Sequence, residues 1–297
     1  MKKVKVIMLD AFKPGYLEHA PYLRSLCESR QHGELNMGFG HWRGVDVIFN
    51  GKSEIIANFF KKEGGLSYFK YFTWLGGFGK IGRFFIDCLF NLPRFLKGYE
   101  MFKTGKVPVK MLSKLDVSVK KHVAKKKDIE FIYFGELDGL GHKYGTKAFE
   151  MVKAIMKLDN KVKGMDFDLI FSDHGMVDVS KIISVPKTED CFIDSDMVRY
   201  WGGVEELEEI KKELPMNEGE IVEWNNNYGN LIFLANTGNL IFPNFWNDKI
   251  VKGMHGYDGE HPEMKAFYLL DRNGSKVNLK AEELHEILNG IREHRAR

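Results

Sequence analysis

Three short runs and one separate aspartate carry the residue types of a metal site in this chain of 297 residues. The runs are Asp138-Gly-Leu-Gly-His142, Ser172-Asp-His-Gly-Met176 and Met254-His-Gly-Tyr-Asp258, and the aspartate is Asp10. Carboxylate oxygens and imidazole nitrogens together are the ligand mixture that suits zinc or manganese. The chain has enough of these carboxylates and imidazoles to bind two ions, and many hydrolases use a pair of metal ions.

The spacing within each run lets its side chains converge. Asp138 and His142 are four residues apart, so a turn that leads into a helix brings both to one ion. Asp173 and His174 are adjacent, and a tight turn at Gly175 allows both to face the same cleft. Any one of these runs is a weak signal by itself, and an alternative for Asp10 is to cap the following helix. Their joint presence is what predicts a site.

The elements around these runs predict an α/β fold with a mostly parallel central sheet and helices on both faces. Short apolar runs at 4–9, 130–135 and 167–172 are typical of buried parallel strands, and each ends in a polar cluster. Ligands of open α/β sheets bind at the carboxyl ends of such strands. Helical spacing of apolar residues predicts helices over 16–30 and 149–163.

The whole chain, 1–297, is predicted to be one domain with two additions. Residues 178–250 are predicted to form a small cap, with a helix over 204–213 and a hairpin formed by 221–224 and 231–235. Residues 60–115 are predicted to be a helical insertion or lid. Within it, 68–99 is dense in aromatic and basic residues. It fits either ordinary helices packed on the sheet or an amphipathic surface that touches a lipid-like substrate or a membrane.

Bulk properties narrow the class of partner. The net charge is only +3 and the charges are interspersed, so we expect no nucleic acid polymer as a partner. Without a signal peptide or an uncharged stretch of spanning length, a cytoplasmic location is expected, with peripheral membrane contact as the alternative. Cys27, Cys88 and Cys191 are widely spaced, which favours reduced thiols. The oligomeric state is left open.

Taken in order, these motifs resemble the alkaline phosphatase superfamily, most closely its type I phosphodiesterase/nucleotide pyrophosphatase branch. The shared runs are Asp138-Gly-Leu-Gly-His-Lys-Tyr-Gly145, the complete Ser172 to Met176 run and His255-Gly-Tyr-Asp258, preceded by Asp10. Residues 194–201 and 240–245 also resemble a less characterised microbial group of that branch. The resemblance implies that Asp138, His142 and His255 hold one divalent ion and that Asp10, Asp173 and His174 hold another. Zinc is the expected metal, with manganese as the alternative.

The resemblance also exposes a gap. In the family, a threonine or serine at the start of a helix attacks phosphorus, but residues 31–52 contain no Ser, Thr or Cys. Counting back from Gly51 puts His41 in that place, and Arg43 nearby suits a phosphoryl oxygen or plain surface exposure. Three alternatives remain: water activated by a metal and positioned by His41, transient phosphorylation of His41, or binding without turnover.

The function predicted from these observations is hydrolysis of a phosphodiester or pyrophosphate bond. The expected substrate is a small phosphorylated molecule, namely a nucleotide, a nucleotide-sugar or a lipid phosphate. Phosphomonoesterase or phosphotransferase activity on the same scaffold is an enzymatic alternative. A degenerate protein that binds metal and phosphate is the alternative that is not an enzyme.

Overall fold

A computed structural model describes residues 3–53, 120–121, 124–188, 190–224, 228–244, 246–247 and 249–296. The predicted insertion at 60–115, with its aromatic stretch at 68–99, lies outside these residues. The described chain divides into two compact units. The first comprises the described parts of 1–53, 120–179 and 251–297, and the second comprises those of 180–250.

The described strands and helices have the following bounds. The strands are β1 (Val4–Leu9), β2 (Arg30–Asn36), β3 (Ile129–Phe134), β4 (Leu169–Phe171), β5 (Val177–Asp178), β6 (Lys181–Ile183), β7 (Cys191–Ile193), β8 (Met197–Tyr200), β9 (Gly219–Val222), β10 (Leu231–Ala235), β11 (Asn239–Ile241), β12 (Gly253–Met254), β13 (Ala266–Asn273) and β14 (Leu279–Lys280). The helices are α1 (Pro21–Cys27), α2 (Arg43–Asn50), α3 (Glu136–Tyr144), α4 (Phe149–Val162), α5 (Val204–Glu213) and α6 (Ala281–Ala296).

The first unit is built on a sheet of six strands in the order β14-β2-β13-β4-β1-β3. Strands β3, β1 and β4 are parallel neighbours, whereas β13 runs antiparallel to both β4 and β2. The predicted mostly parallel sheet is therefore confirmed. Its antiparallel strand contains the short apolar run at 267–270.

Side chains alternate between the two faces of this sheet. On one face, Ile7 and Leu9 of β1 pack in a buried cluster with Leu23 of α1 and Ile155 of α4. On the other, Phe49 of α2 contacts aromatic rings of β3 and β4. Helices thus cover both faces, and they leave the ends of the parallel strands for polar residues.

The predicted helix over 16–30 is wrong at both ends. The structure has a short 3-10 helix, Pro14–His19, then α1, and residue 30 already belongs to β2. Pro21 explains the break, because proline lacks an N–H and pushes the residue before it out of the α region. Ala20 accordingly adopts φ −124° and ψ 72°.

The second unit contains an antiparallel sheet in the order β7-β8-β10-β9 and a parallel pair, β11 and β6. The predicted hairpin is present as β9 paired with β10, and the predicted helix is α5. The role of 178–250 as a cap stays a prediction. None of the helices that the structure describes is both long and apolar enough to cross a membrane.

Candidate metal centre

The predicted ligands follow the carboxyl ends of three neighbouring strands. Asp10 follows β1, Asp138 lies in α3 directly after β3, and Asp173 follows β4. Because β3, β1 and β4 are parallel and adjacent, their ends meet at one edge of the sheet. Ala11 has a left-handed φ of 58°, and its N–H donates to Asp173 Oδ1 at 3.2 Å. This uncommon conformation and its hydrogen bond connect the ends of β1 and β4.

Asp138, His142 and His255 form a first triplet. Asp138 Oδ1 lies 3.2 Å from His142 Nε2 and 3.3 Å from His255 Nε2. The two histidine rings are 5.1 Å apart between centroids. One carboxylate oxygen and two imidazole nitrogens therefore converge on one point.

Asp10, Asp173 and His174 form a second triplet. His174 Nε2 lies 3.4 Å from Asp10 Oδ1 and 3.3 Å from Asp173 Oδ2. The triplets adjoin, since the rings of His174 and His255 stack with centroids 3.5 Å apart and planes within 4°. The same two groups of three were named from the sequence, and that each holds an ion stays a prediction.

Backbone carbonyls fix which histidine nitrogen faces the triplets. His142 Nδ1 lies 2.8 Å from Gly253 O, and His174 Nδ1 lies 2.9 Å from Gly175 O. A carbonyl oxygen only accepts, so each Nδ1 must carry the hydrogen and donate it. In the neutral ring, the lone pair is then on Nε2, which points at the carboxylates. Such partners commonly orient metal-binding histidines.

The residues fit a metal ion by two tests. Buried atoms Asp10 Oδ1, Asp138 Oδ1 and His174 Nε2 have no hydrogen-bond partner among the described residues. Buried polar atoms are rarely left so. Ligand atoms around a tetrahedral zinc with bonds of about 2.0–2.1 Å lie about 3.3 Å apart, and the four carboxylate-to-imidazole distances within the triplets are 3.2–3.4 Å.

Burial controls the protonation of these groups. It lowers the pKa of His174 to about 3, with help from the positive charge of Lys120. It also holds the pKa of His255 well below the usual range. Both imidazoles are therefore neutral near pH 7, as metal binding requires. Burial and the Asp173 charge raise the pKa of Asp10 above its usual range, and the charge of Lys120 opposes this shift.

The Asp138–His142 pair behaves differently. Burial alone would raise the pKa of Asp138 and lower that of His142, but their mutual attraction outweighs it in both cases. The pKa of Asp138 is held well below its usual range, and that of His142 is raised. Without metal, this pair therefore favours the ionised form.

Close packing joins the three ligand runs. A Cβ atom added at Gly141 would lie 2.2 Å from Met176 Sδ, and one added at Gly253 would lie 2.6 Å from Gly141 O. Only glycine allows these approaches. Ser172 is also structural, because its Oγ accepts a hydrogen bond of 2.8 Å from the Phe267 N–H. This bond occupies the serine oxygen as the chain leaves β4.

His41 and Arg43 lie around the start of α2. The ring of His41 meets that of His255 edge to face, with centroids 4.6 Å apart. The Gly40 N–H donates to Gly256 O at 2.7 Å, which ties this segment to the third ligand run. Arg43 stacks its guanidinium over Phe39 at 5.0 Å. His41 is therefore beside the first triplet.

Sequence reasoning missed two residues of the centre, Lys120 and Tyr133. Lys120 Nζ lies 2.8 Å from Asp10 Oδ2 and 2.7 Å from Asp173 Oδ2. The Tyr133 hydroxyl also donates to Asp10 Oδ2. Tyr133 was taken only as part of a buried strand. Lys120 is one of several lysines in its stretch, and nothing in the sequence distinguishes it.

Comparisons with known proteins follow this geometry. The family model for "Type I phosphodiesterase / nucleotide pyrophosphatase" matches residues 92–222, which include Asp138, His142, Asp173 and His174. The sequence matches no curated protein.

Two solved structures of one ectonucleotide pyrophosphatase / phosphodiesterase share the fold. The murine protein 5 of this name, an inactive threonine-to-alanine form in complex with AMP, aligns with a TM-score of 0.66 at 17% identity over 99% of this chain and 95% of its own. The human protein 5 aligns with a TM-score of 0.66 at 16% identity over 98% and 95%. The family match and the shared fold confirm the predicted resemblance to the alkaline phosphatase superfamily, in its type I phosphodiesterase/nucleotide pyrophosphatase branch.

Proposed function

We propose that this protein is a metal-dependent hydrolase of phosphodiester or pyrophosphate bonds. The observation that carries the proposal is the pair of adjoining triplets, whose ligand atoms converge at 3.2–3.4 Å in a largely buried site. The family match over 92–222 supports the same class of reaction. Zinc is the metal that we propose, with manganese as the alternative.

Each triplet would hold one divalent ion. Such ions, when bound, lower the pKa of bound water, and their positive charge neutralises the transferring phosphoryl group. The protein's part is to hold and orient the ligands. The carbonyls of Gly253 and Gly175 fix His142 and His174, and the stacked pair of His174 and His255 keeps the triplets side by side.

A nucleotide, a nucleotide-sugar or a lipid phosphate is the proposed substrate class. The murine structure supports the nucleotide member of this set, because that protein is described in complex with AMP. No nucleic acid polymer is proposed. The cytoplasmic location and the contact of 68–99 with a lipid or a membrane stay predictions. The oligomeric state stays open.

The nucleophile is the point where this chain departs from its relatives. The murine protein is described as inactive when it carries a threonine-to-alanine substitution, whereas residues 31–52 here have no Ser, Thr or Cys. We propose that water attacks and that His41 positions or deprotonates it, because the His41 ring lies against a predicted metal ligand. Transient phosphorylation of His41 is the alternative. Arg43 is proposed as a phosphoryl contact.

The test compares two chromogenic substrates on purified protein loaded with Zn²⁺ or Mn²⁺. Bis-p-nitrophenyl phosphate should be cleaved faster than p-nitrophenyl phosphate, and a chelator should abolish the rate. Asp138→Asn should remove the activity, whereas Asp166→Asn, at an exposed aspartate that pairs with Lys5, should not. Faster cleavage of the monoester would favour a phosphomonoesterase. No cleavage of either substrate with metal bound would favour a binding protein.

A second pair of variants tests His41. We expect His41→Ala to lower kcat for the diester by about 100-fold, a typical contribution of a general base. His19→Ala is the matched control, since His19 lies in a separate segment and pairs with Glu18. An unchanged kcat in His41→Ala would remove His41 from the mechanism. A phosphorylated His41, trapped by rapid acid-free quench and detected by mass spectrometry, would favour the covalent alternative.

A further inference from the structure

Lys120 places a positive charge inside the second triplet. Its ammonium nitrogen lies 2.8 Å from Asp10 Oδ2 and 2.7 Å from Asp173 Oδ2, and its side chain is only 2% exposed. The contacted Asp173 oxygen is the same atom that lies 3.3 Å from His174 Nε2. The lysine therefore binds an oxygen that a metal ion in this triplet would also use.

These contacts are of the strong kind. The contact with Asp10 Oδ2 is a charge-assisted hydrogen bond, which is stronger than a neutral one, and the contact with Asp173 Oδ2 is an ion pair. Both carboxylates are fully buried from solvent, so water and salt screen them little. The lysine is also anchored locally, because the Ala124 N–H donates to Lys120 O at 3.1 Å.

The two triplets consequently differ in the group that already contacts their carboxylates. The second triplet has two carboxylates, and the ammonium of Lys120 contacts both of them. The first triplet has one carboxylate, Asp138, whose Oδ1 lies 3.2 Å from His142 Nε2 and 3.3 Å from His255 Nε2. Among the described residues, neither an ammonium nor a guanidinium group forms an ion pair with this carboxylate. A metal ion entering the first triplet replaces only imidazole-to-carboxylate contacts, whereas one entering the second must also displace an ammonium from Asp173 Oδ2.

We propose that Lys120 acts as a built-in cation of the second triplet and makes the Asp10–Asp173–His174 site the weaker of two metal sites. Two ions then load in sequence. The first binds at Asp138, His142 and His255, and the second binds only when the ammonium gives up the Asp173 oxygen. This inference rests on the proposed function only in that both require the triplets to bind metal.

The experiment measures metal binding and not activity. The full chain is stripped of metal and dialysed against buffers of fixed free Zn²⁺, and bound zinc per chain is determined by elemental mass spectrometry. Wild type is compared with Lys120→Met, and with Lys121→Met as the matched control, because Lys121 is the exposed neighbour. We expect a first binding step at the same free Zn²⁺ in all three proteins. The second step should tighten at least tenfold in Lys120→Met and stay unchanged in Lys121→Met.

A second set of variants isolates the weaker site. Asp138→Asn weakens the first triplet, so the protein should bind its remaining ion near the free Zn²⁺ of the wild type's second step. Adding Lys120→Met to it should lower that concentration at least tenfold. If Lys120→Met does not fold without metal, as judged by circular dichroism, Lys120→Gln replaces it, because glutamine keeps a donor but no charge.

Each outcome decides between the claims. A second step that is equal in wild type and Lys120→Met overturns the inference, and so does a second step that weakens on losing the lysine. Either result leaves the proposed hydrolase intact. No zinc bound by any of the proteins removes the metal centre, and the proposed function and the inference fall together.

Discussion

Gly141 offers a direct test of the packing that brings the ligand runs together. It lies in α3 between Asp138 and His142, and a Cβ atom added there would lie 2.2 Å from Met176 Sδ and 3.1 Å from its Cε. Non-bonded carbon contacts are normally about 3.5–4.0 Å, so atoms must move by more than ~1 Å. Met176 is fully buried, which limits where it can go. Overpacking of this kind costs about 1–3 kcal/mol.

The matched control is Gly139→Ala in the same helix. A Cβ atom added at Gly139 has no neighbour within 4 Å. That variant should gain about 0.5–1 kcal/mol in free energy of unfolding, the usual helical preference for alanine over glycine. Subtracting it from Gly141→Ala removes the propensity gain and leaves the clash, for which we expect about 1–3 kcal/mol. Urea unfolding followed by circular dichroism measures both values.

A double-mutant cycle identifies the clashing partner. Gly141→Ala should cost less in a Met176→Ala background, because the shortened side chain no longer occupies the space, and the coupling should be about 1–3 kcal/mol. The Zn²⁺ affinity of Gly141→Ala should also fall, since α3 carries two of the ligands. Equal unfolding free energies for Gly141→Ala and Gly139→Ala, or additive effects in the cycle, would refute the reasoning.

Three further predictions concern groups around the site. Ser172→Ala should lower the free energy of unfolding by about 1–3 kcal/mol, because the buried Phe267 N–H loses its acceptor. The control Ser29→Ala, at an exposed position, should change this free energy by no more than about 0.5 kcal/mol. A Ser172 variant as stable as wild type would contradict the structural role of the serine. Asp159→Ala should lower the free energy of unfolding by about 1–2 kcal/mol, since the Asp159 carboxylate accepts from two backbone N–H groups at the start of α1, each at 2.9 Å. Urea unfolding measures this change, and an unchanged free energy of unfolding would contradict the prediction. Burial raises the pKa of the Cys27 thiol from 9.0 to about 11, so its thiolate forms only at higher pH. Alkylation of Cys27 by iodoacetamide at pH 8 should therefore be about 100-fold slower in the folded protein than in the protein unfolded by urea. Equal alkylation rates, followed by peptide mass spectrometry, would contradict the raised pKa.

Elements with a strong period could be predicted from the sequence nearly to the residue. β1 was predicted at 4–9 and α5 at 204–213, and both have those bounds. α4 was predicted one residue too long. β1 and α4 place apolar residues at the spacing of a fully buried strand and of a single buried face, so local pattern and tertiary burial agree. α5 was predicted as an acidic helix, and Ile210 is its buried residue.

The elements that escaped prediction lack that agreement. β2 is largely polar, and only its first residue was assigned at all, as the last residue of the helix predicted over 16–30. α2 is only eight residues long and contains Gly44, which weakens its helical signal. Its position was inferred only through the comparison of His41 with a nucleophile at the start of a helix.

The ligands were predictable for a different reason than the lysine that contacts them. Each ligand run combines an aspartate or histidine with glycine at a strand end, and this combination is rare enough to recognise. Lys120 is followed by Lys121, and the two differ only in where the folded chain directs them, one buried and one exposed. That difference depends on β1 and β4, more than 40 residues away in the sequence, and no local pattern records it.

Lys120 and the lack of Ser, Thr or Cys in 31–52 both bear on which triplet activates the nucleophile. A nucleophilic hydroxyl would stand beside the metal pair, and the second triplet would share in activating it. In this chain His41 lies against the first triplet instead, at 4.6 Å from His255, while an ammonium contacts both carboxylates of the second. If the first triplet alone fills at low free metal, the proposed base and the ion that it serves are on the same side of the site. On that proposal, His41 and an ion held by the first triplet would position a water nucleophile, and an ion held by the second triplet, once Lys120 gives up the Asp173 oxygen, would supply charge for the leaving oxygen.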